Sequence, residues 1–209
     1  MRMRKKKWVD PFIENETKYI IKDKTLKGQW LNNSDFKQLY LEIGMGMGDF
    51  ITQSAKINHD VLYVGFEKDM TCVAKSAIKA EEYQLNNFKV ILDNANNLSE
   101  YFDCEVDRIY LHFSDPWPKK GYAKRRLTYH TYLDVYRSIL KDDGELIFKT
   151  DNKDLFEFSI VEFGNYGWKL IDFSVDYHRN PNNDIKTGYE EKFTGLNQPI
   201  YFAKIKKNI

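Results

Sequence analysis

Two stretches of this chain combine residue types that suit chemistry. The first is YLEIGMGMGDF, Tyr40 to Phe50, in which an apolar run carries Glu42 and is followed by Gly44, Gly46 and Gly48. Glycines in such a place let the backbone turn sharply and let a ligand lie against bare peptide. A dinucleotide site wants its third glycine one position later, where this chain has Asp49. Glu67 ends the next apolar run, VLYVGF, about 20 residues beyond the glycines, where nucleotide-binding α/β folds place a carboxylate on ribose hydroxyls. Asp93 and Asn94 follow a third run, where an adenine ring can be read by its amino group and ring nitrogen. Each feature also has a plainer reading: a tight strand–helix turn, a surface glutamate, and a solvated turn rich in Asn and Asp.

The second stretch is SDPWPKKGYAKRRLTYH, Ser114 to His130. Pro116 and Pro118 restrict the backbone around Trp117, so the Asp115 carboxylate and the indole are expected to be held rigidly. A fixed aromatic plate suits stacking on a nucleobase, and Lys119, Lys120, Lys124, Arg125 and Arg126 suit phosphate contacts. The mixed character of the stretch has one explanation: it faces a small-molecule donor on one side and nucleic acid on the other. Taken alone, such a basic cluster is more often just a solvated face.

Positioning these groups falls to short apolar runs that alternate with helical patterns, the signature of βαβ units. Strands are expected at 39–43, 61–66, 88–92, 107–113 and 144–150, with 168–175 and 199–206 closing the sheet as an antiparallel pair. Met70, Val73, Ala74, Ala77 and Ile78 recur at helical spacing, as do Tyr129, Tyr132, Leu133, Tyr136 and Leu140, and both stripes read as core-facing. The fold class is therefore α/β: a doubly wound, mostly parallel, seven-stranded sheet with an antiparallel last strand. Residues 1–38 read as a basic N-terminal extension with one or two short helices, and 39–209 as a single domain. The polar run at 177–193 is a long connection of the kind that is usually functional or mobile.

Composition excludes several classes. The chain has 209 residues, 42% hydrophobic and 30% charged, enough for one domain with a sizeable core. It has no apolar run of about eighteen residues, so no membrane span is expected. The basic start is followed by VDPFIENETKYI, too polar for a signal peptide. Cys72 and Cys104 form no metal-ligand pattern and read as two buried thiols, so neither metal nor disulfide is expected. Net charge is only +1, but basic residues crowd at 2–7 and 119–126, and local patches bind phosphates even when the total balances. A cytoplasmic protein, monomer or homodimer, fits.

G-x-G-x-G after an acid-bearing strand resembles the first motif of S-adenosylmethionine-dependent methyltransferases. The set EIGMGMG, SDPWPKK, RRLT, FKTDN and TGYEEKF, in this order, resembles the bacterial tRNA (guanine-N7-)-methyltransferase family over essentially the whole chain. The resemblance implies a Rossmann-like class I methyltransferase fold, S-adenosyl-L-methionine as cofactor, and tRNA as partner. Carried over by motif, the cofactor positions are Glu42, Glu67, Asn94 and Asp115, beside Gly44 and Gly46 of the turn. The positions associated with tRNA are Lys119, Asp151, Thr187, Gly188, Tyr189 and Glu190, with Arg125 and Arg126 from the basic block. The family has Asp where this chain has Asn94.

The implied reaction is methylation of a guanine in the tRNA variable loop. Guanine N7 carries an in-plane lone pair and no proton, so no general base is required. Asp115 is the expected catalytic carboxylate, placed to favour the cationic product, with Asp151 and Glu190 accepting from guanine N1–H and N2–H₂. The nearest alternative is a base amino-methyltransferase, which carries an acid or amide before Pro-Pro-aromatic at the same strand end. A non-catalytic RNA-binding protein and a nicotinamide-dependent dehydrogenase fit less well. The first leaves Glu42, Gly44, Gly46, Glu67 and Asp115 without a task, and Asp49 argues against the second.

Overall fold

Side chains alternate along the central strands so that both faces of the sheet are apolar, and this dictates a three-layer arrangement. The computed structural model describes residues 7–16, 18–179, 185, 190 and 198–208. In β2 (Gln38–Ile43), Leu39, Leu41 and Ile43 enter one core and Tyr40 the other. In β3 (Val61–Glu67), Leu62, Val64 and Phe66 face the first core, while Val61 and Tyr63 face the second. Helices α4 (His130–Ile139) and α5 (Lys153–Asn165) cover the first face through Leu133, Tyr136, Leu155, Phe156 and Phe163. Helices α1 (Val9–Asn15), α2 (Asp49–Ile57) and α3 (Met70–Glu82) cover the second through Val9, Ile13, Ile51, Ala55, Val73 and Ala77.

The remaining strands are β1 (Ile20–Ile21), β4 (Phe88–Leu92), β5 (Val106–His112), β6 (Leu140–Thr150), β7 (Trp168–Ser174) and β8 (Tyr201–Lys207). Their order is β1-β4-β3-β2-β5-β6-β8-β7. Strands β1 to β6 pair in parallel, and β8 runs antiparallel between β6 and β7. The sheet thus has the expected doubly wound, mostly parallel form and antiparallel close, but eight strands rather than seven. The extra one is the two-residue β1, which pairs with β4 at the edge.

That strand lies in the segment 18–38, which packs against the rest of the fold. Tyr19 Oη donates to the carbonyls of Ala80 and Leu85, each at 3.2 Å. Trp30 stacks on Phe102 with ring centroids 5.3 Å apart, and its indole N–H donates to Tyr101 O at 2.9 Å. Of the two thiols expected to be buried, Cys72 is, but Cys104 is exposed in the turn before β5, and both are free. Among the described residues no helix is long and apolar enough to cross a membrane.

Candidate active site

Strands β3 and β5 flank β2, and the helices that follow β2 and β5, α2 and α4, cover opposite faces of the sheet, so a crevice opens beyond the strand ends. A cleft of about 640 Å³ fills it, lined from the ends of β2, β3, β4 and β5 by Gly44, Glu67, Asp93, Asn94, Asp115 and Trp117, among others. The three glycines of the turn are left-handed, with φ of +72° at Gly44, +57° at Gly46 and +74° at Gly48. At Gly48 a Cβ would also lie 2.6 Å from Ser76 Cβ, so this glycine lets α2 approach α3. Asp49, which argued against a dinucleotide site, opens α2 and pairs with Lys79.

Glu67 is held by backbone alone. Its Oε2 accepts from Gly46 N at 3.1 Å, and its Oε1 accepts from Lys68 N at 2.8 Å and Asp69 N at 3.0 Å. The carboxylate is therefore fixed at the cleft wall and tied to the glycine turn. Asp93 accepts from Asn94 N, the Asn97 amide and Tyr101 Oη. Partial burial pushes its carboxyl up, but these three donors outweigh it and hold the value below the ordinary range. Asn94 is exposed at the cleft and caps the short 3₁₀ turn 95–100, its Oδ1 accepting from Asn96 N at 3.0 Å.

The loop after β5 brings Asp115 and Trp117 to the mouth. Arg125 lies over the Trp117 and Tyr122 rings, 4.9 and 4.5 Å from their centroids, and lines the cleft together with Lys124. Arg126, expected beside Arg125 on tRNA, is instead buried. Its Nε donates to Pro116 O at 3.0 Å and its Nη2 to Trp117 O at 3.1 Å. Its guanidinium is engaged by two backbone carbonyls, and unlike Arg125 it does not line the cleft. Tyr132, read as core-facing from its helical spacing, lines the cleft. Lys119 is exposed but outside the lining, at the start of the turn 120–125.

Behind the glycine turn, Glu42 is fully enclosed and its Oε1 lies 3.1 Å from His112 Nδ1. Burial, reinforced by Asp49 and Glu67, pushes the Glu42 carboxyl well up. Burial, reinforced by Lys149, pushes the His112 imidazole well down. Both directions favour an uncharged pair. Sequence reasoning missed His112; the available signal was a polar residue at a strand end next to the strand carrying Glu42. Glu190 is also buried, its Oε1 accepting from Lys149 Nζ at 3.2 Å and lying 2.8 Å from His178 Nε2. Its carboxylate is thus engaged by Lys149 and His178, and it is not among the residues lining the cleft. Asp151 follows β6, half-buried, just ahead of Asn152, whose Oδ1 caps α5 by accepting from Leu155 N at 2.8 Å. Thr187, Gly188 and Tyr189 lie outside the described residues.

Comparison with known proteins decides the family. Residues 37–203 match a family model described as putative methyltransferase. The tRNA (guanine-N(7)-)-methyltransferase of Limosilactobacillus reuteri (strain DSM 20016) is 44% identical over 206 residues, covering 96% of this chain and 97% of its own. The chain belongs to the tRNA (guanine-N(7)-)-methyltransferase family. A second relative of that name, from Staphylococcus epidermidis (strain RP62A), is 42% identical over 99% of this chain and 97% of its own. Among solved structures, the 16S rRNA methyltransferase KamB matches this methyltransferase with a TM-score of 0.68 at 13% identity, over 90% of this chain and 96% of that one. A putative methyltransferase from Streptococcus mutans, SMU.1697c, in complex with SAH, matches at 0.55 and 16% identity, over 83% and 90% of the two chains. Likeness at that level of identity concerns the fold alone.

S-adenosylmethionine is the family's cofactor, and the residues present fit it. Gly44 leaves bare, left-handed peptide at the cleft, Glu67 presents a carboxylate preset by three backbone donors, and Asn94 stands at the rim. Among the described residues no group of three or more His, Cys, Asp or Glu is placed to hold a metal ion.

Proposed function

We propose that the protein transfers a methyl group from S-adenosylmethionine to N7 of a guanine in the variable loop of tRNA. The observation that carries this reading is one cleft holding two sets of groups. Glu67 and the glycine turn suit a nucleoside cofactor, while Trp117, Lys124 and Arg125 suit a nucleic acid, and Asp115 lines the same cleft.

When bound, S-adenosylmethionine supplies a methyl group on a positively charged sulfur. Glu67 would hold the ribose hydroxyls and Asn94 the adenine edge. Guanine N7 has no proton to lose, so no side chain need act as a base. The chain's work is orientation, which can supply about 7–11 kcal/mol of barrier reduction. Positive charge grows on the base as N7 is methylated, and the Asp115 carboxylate gains attraction as it does so. Trp117 offers a plate for stacking, Lys124 and Arg125 offer cations to the phosphates, and Asp151 offers an acceptor to guanine N1–H and N2–H₂. Tertiary structure in tRNA encloses the target edge, so the base is extruded locally to reach the cleft. A tRNA substrate places this work in the cytoplasm.

The test is methyl uptake from labelled S-adenosylmethionine into tRNA transcripts. The proposal expects about one methyl per unmodified tRNA and almost none into tRNA already carrying 7-methylguanosine. Equal uptake into both, or into neither, contradicts it.

A further inference from the structure

The loop that carries Asp115 is held in a conformation its own sequence resists. Phe113 and Trp117 both have left-handed backbones, with φ of +51° and +42°. Side chains with a Cβ are disfavoured there, bulky ones most of all. Trp117 is doubly constrained because it precedes Pro118, whose ring pushes the preceding residue toward extended conformations. Such a backbone persists only where its surroundings over-determine it.

Arg126 does this. Its guanidinium takes two consecutive carbonyls, Pro116 O at 3.0 Å and Trp117 O at 3.1 Å. Consecutive carbonyls of an extended chain point to opposite sides. One planar fork reaches both because the chain turns at Trp117. The fork is rooted in turn: it lies 4.3 Å from the centroid of the Phe158 ring on α5. Two residues on from Arg126, Thr128 Oγ1 accepts from Ser159 Oγ at 2.7 Å, tying the same segment to α5. The neighbouring Arg125 faces the other way, over the Trp117 ring and into the cleft.

We infer that Arg126 is a positioning residue for methyl transfer: it transmits the rigidity of α5 to the Pro116 and Trp117 carbonyls and so keeps Asp115 and Trp117 aimed into the cleft. The inference rests on the reading of Asp115 and Trp117 as part of the site.

Arg126→Lys tests it. Lysine keeps the positive charge and the aliphatic stem, but one ammonium group cannot replace a planar fork on two carbonyls. The single-turnover rate at saturating cofactor and tRNA is expected to fall at least about tenfold, since small misplacements near reacting groups cost that much or more. tRNA affinity and its salt dependence should stay as in the wild type. A wild-type rate in Arg126→Lys, or a loss that disappears at higher tRNA concentration together with a shallower salt slope, overturns the inference. Phe158→Leu, which loosens the seat of the guanidinium without touching its charge, decides the matter if Arg126→Lys fails to fold. It should slow single turnover severalfold with an unchanged salt slope, and a wild-type rate there also overturns the inference. Asp115→Ala in the same assay separates the two levels. Full activity in that variant removes the underlying reading, whereas its loss beside normal Arg126→Lys and Phe158→Leu rates removes only the role of Arg126.

Discussion

Glu42 Oε1 and His112 Nδ1 lie 3.1 Å apart on neighbouring strands, with both side chains enclosed behind the glycine turn. Burial raises the acid and lowers the imidazole, so the fold favours an uncharged pair over an ion pair.

The pH dependence follows from each partner's direction. Above pH 4.5, Glu42's ordinary value, the unfolded chain loses a proton that the fold keeps, so this residue costs stability as pH rises. Below pH 6.5, the ordinary value for His112, the unfolded chain gains a proton that the fold refuses, so this residue costs stability as pH falls. Between pH 4.5 and 6.5 the two slopes oppose each other in the wild type. Glu42→Gln should therefore gain stability relative to wild type as pH rises through this window, by up to about 1.4 kcal/mol per unit, and His112→Asn should lose it at the same rate. Urea denaturation at several pH values measures both differences. Variant curves parallel to the wild type would show that burial does not keep the remaining partner uncharged in the fold.

Asp115 is exposed at the cleft mouth, so Asp115→Ala should melt like the wild type. Its single-turnover rate should fall at least about a hundredfold, the scale lost with one electrostatic stabiliser. A near-normal rate would remove Asp115 from the reaction.

Arg125 should act on tRNA and not on the cofactor. Arg125→Ala is expected to weaken tRNA binding and reduce its salt slope by up to about one unit for a lost phosphate contact. S-adenosylmethionine affinity should hardly change. An unaltered slope would mean that Arg125 serves only to cover Trp117 and Tyr122.

Asn94 stands where relatives are expected to carry Asp. Its Oδ1 caps Asn96 N, a bond that an Asp oxygen can also accept. Losing the amide donor and gaining a charged acceptor work in opposite directions. Asn94→Asp should thus change S-adenosylmethionine affinity by less than about tenfold, or 1.4 kcal/mol. Glu67→Ala should cost more, because it strands the Gly46, Lys68 and Asp69 N–H groups as well as the ribose. Titration calorimetry ranks the two, and a large gain for Asn94→Asp contradicts this account.

The strands β2 to β8 were legible because most are buried on both faces and read as short apolar runs between turn signals. β1 was not, since two isoleucines inside an irregular extension carry no period. The cleft residues Gly44, Glu67, Asn94 and Asp115 were legible because strand ends in a doubly wound sheet converge. What sequence does not carry is direction. Arg125 and Arg126 are identical in type and adjacent, yet one faces the cleft and the other the backbone behind it. Tyr132 shares the helical stripe of Leu133 and Tyr136 but lies at its edge, where the stripe meets the cleft. Glu190 comes from a polar segment, and only the fold reveals Lys149 and His178 around it.

The position of the transferred methyl tests the central claim most directly. After reaction with an unmodified tRNA transcript, borohydride reduction and aniline treatment cleave the chain only where guanine has been methylated at N7. The account predicts one cleavage, at a guanine of the variable loop. Labelled methyl in the tRNA without cleavage, as an exocyclic amine product would give, contradicts it.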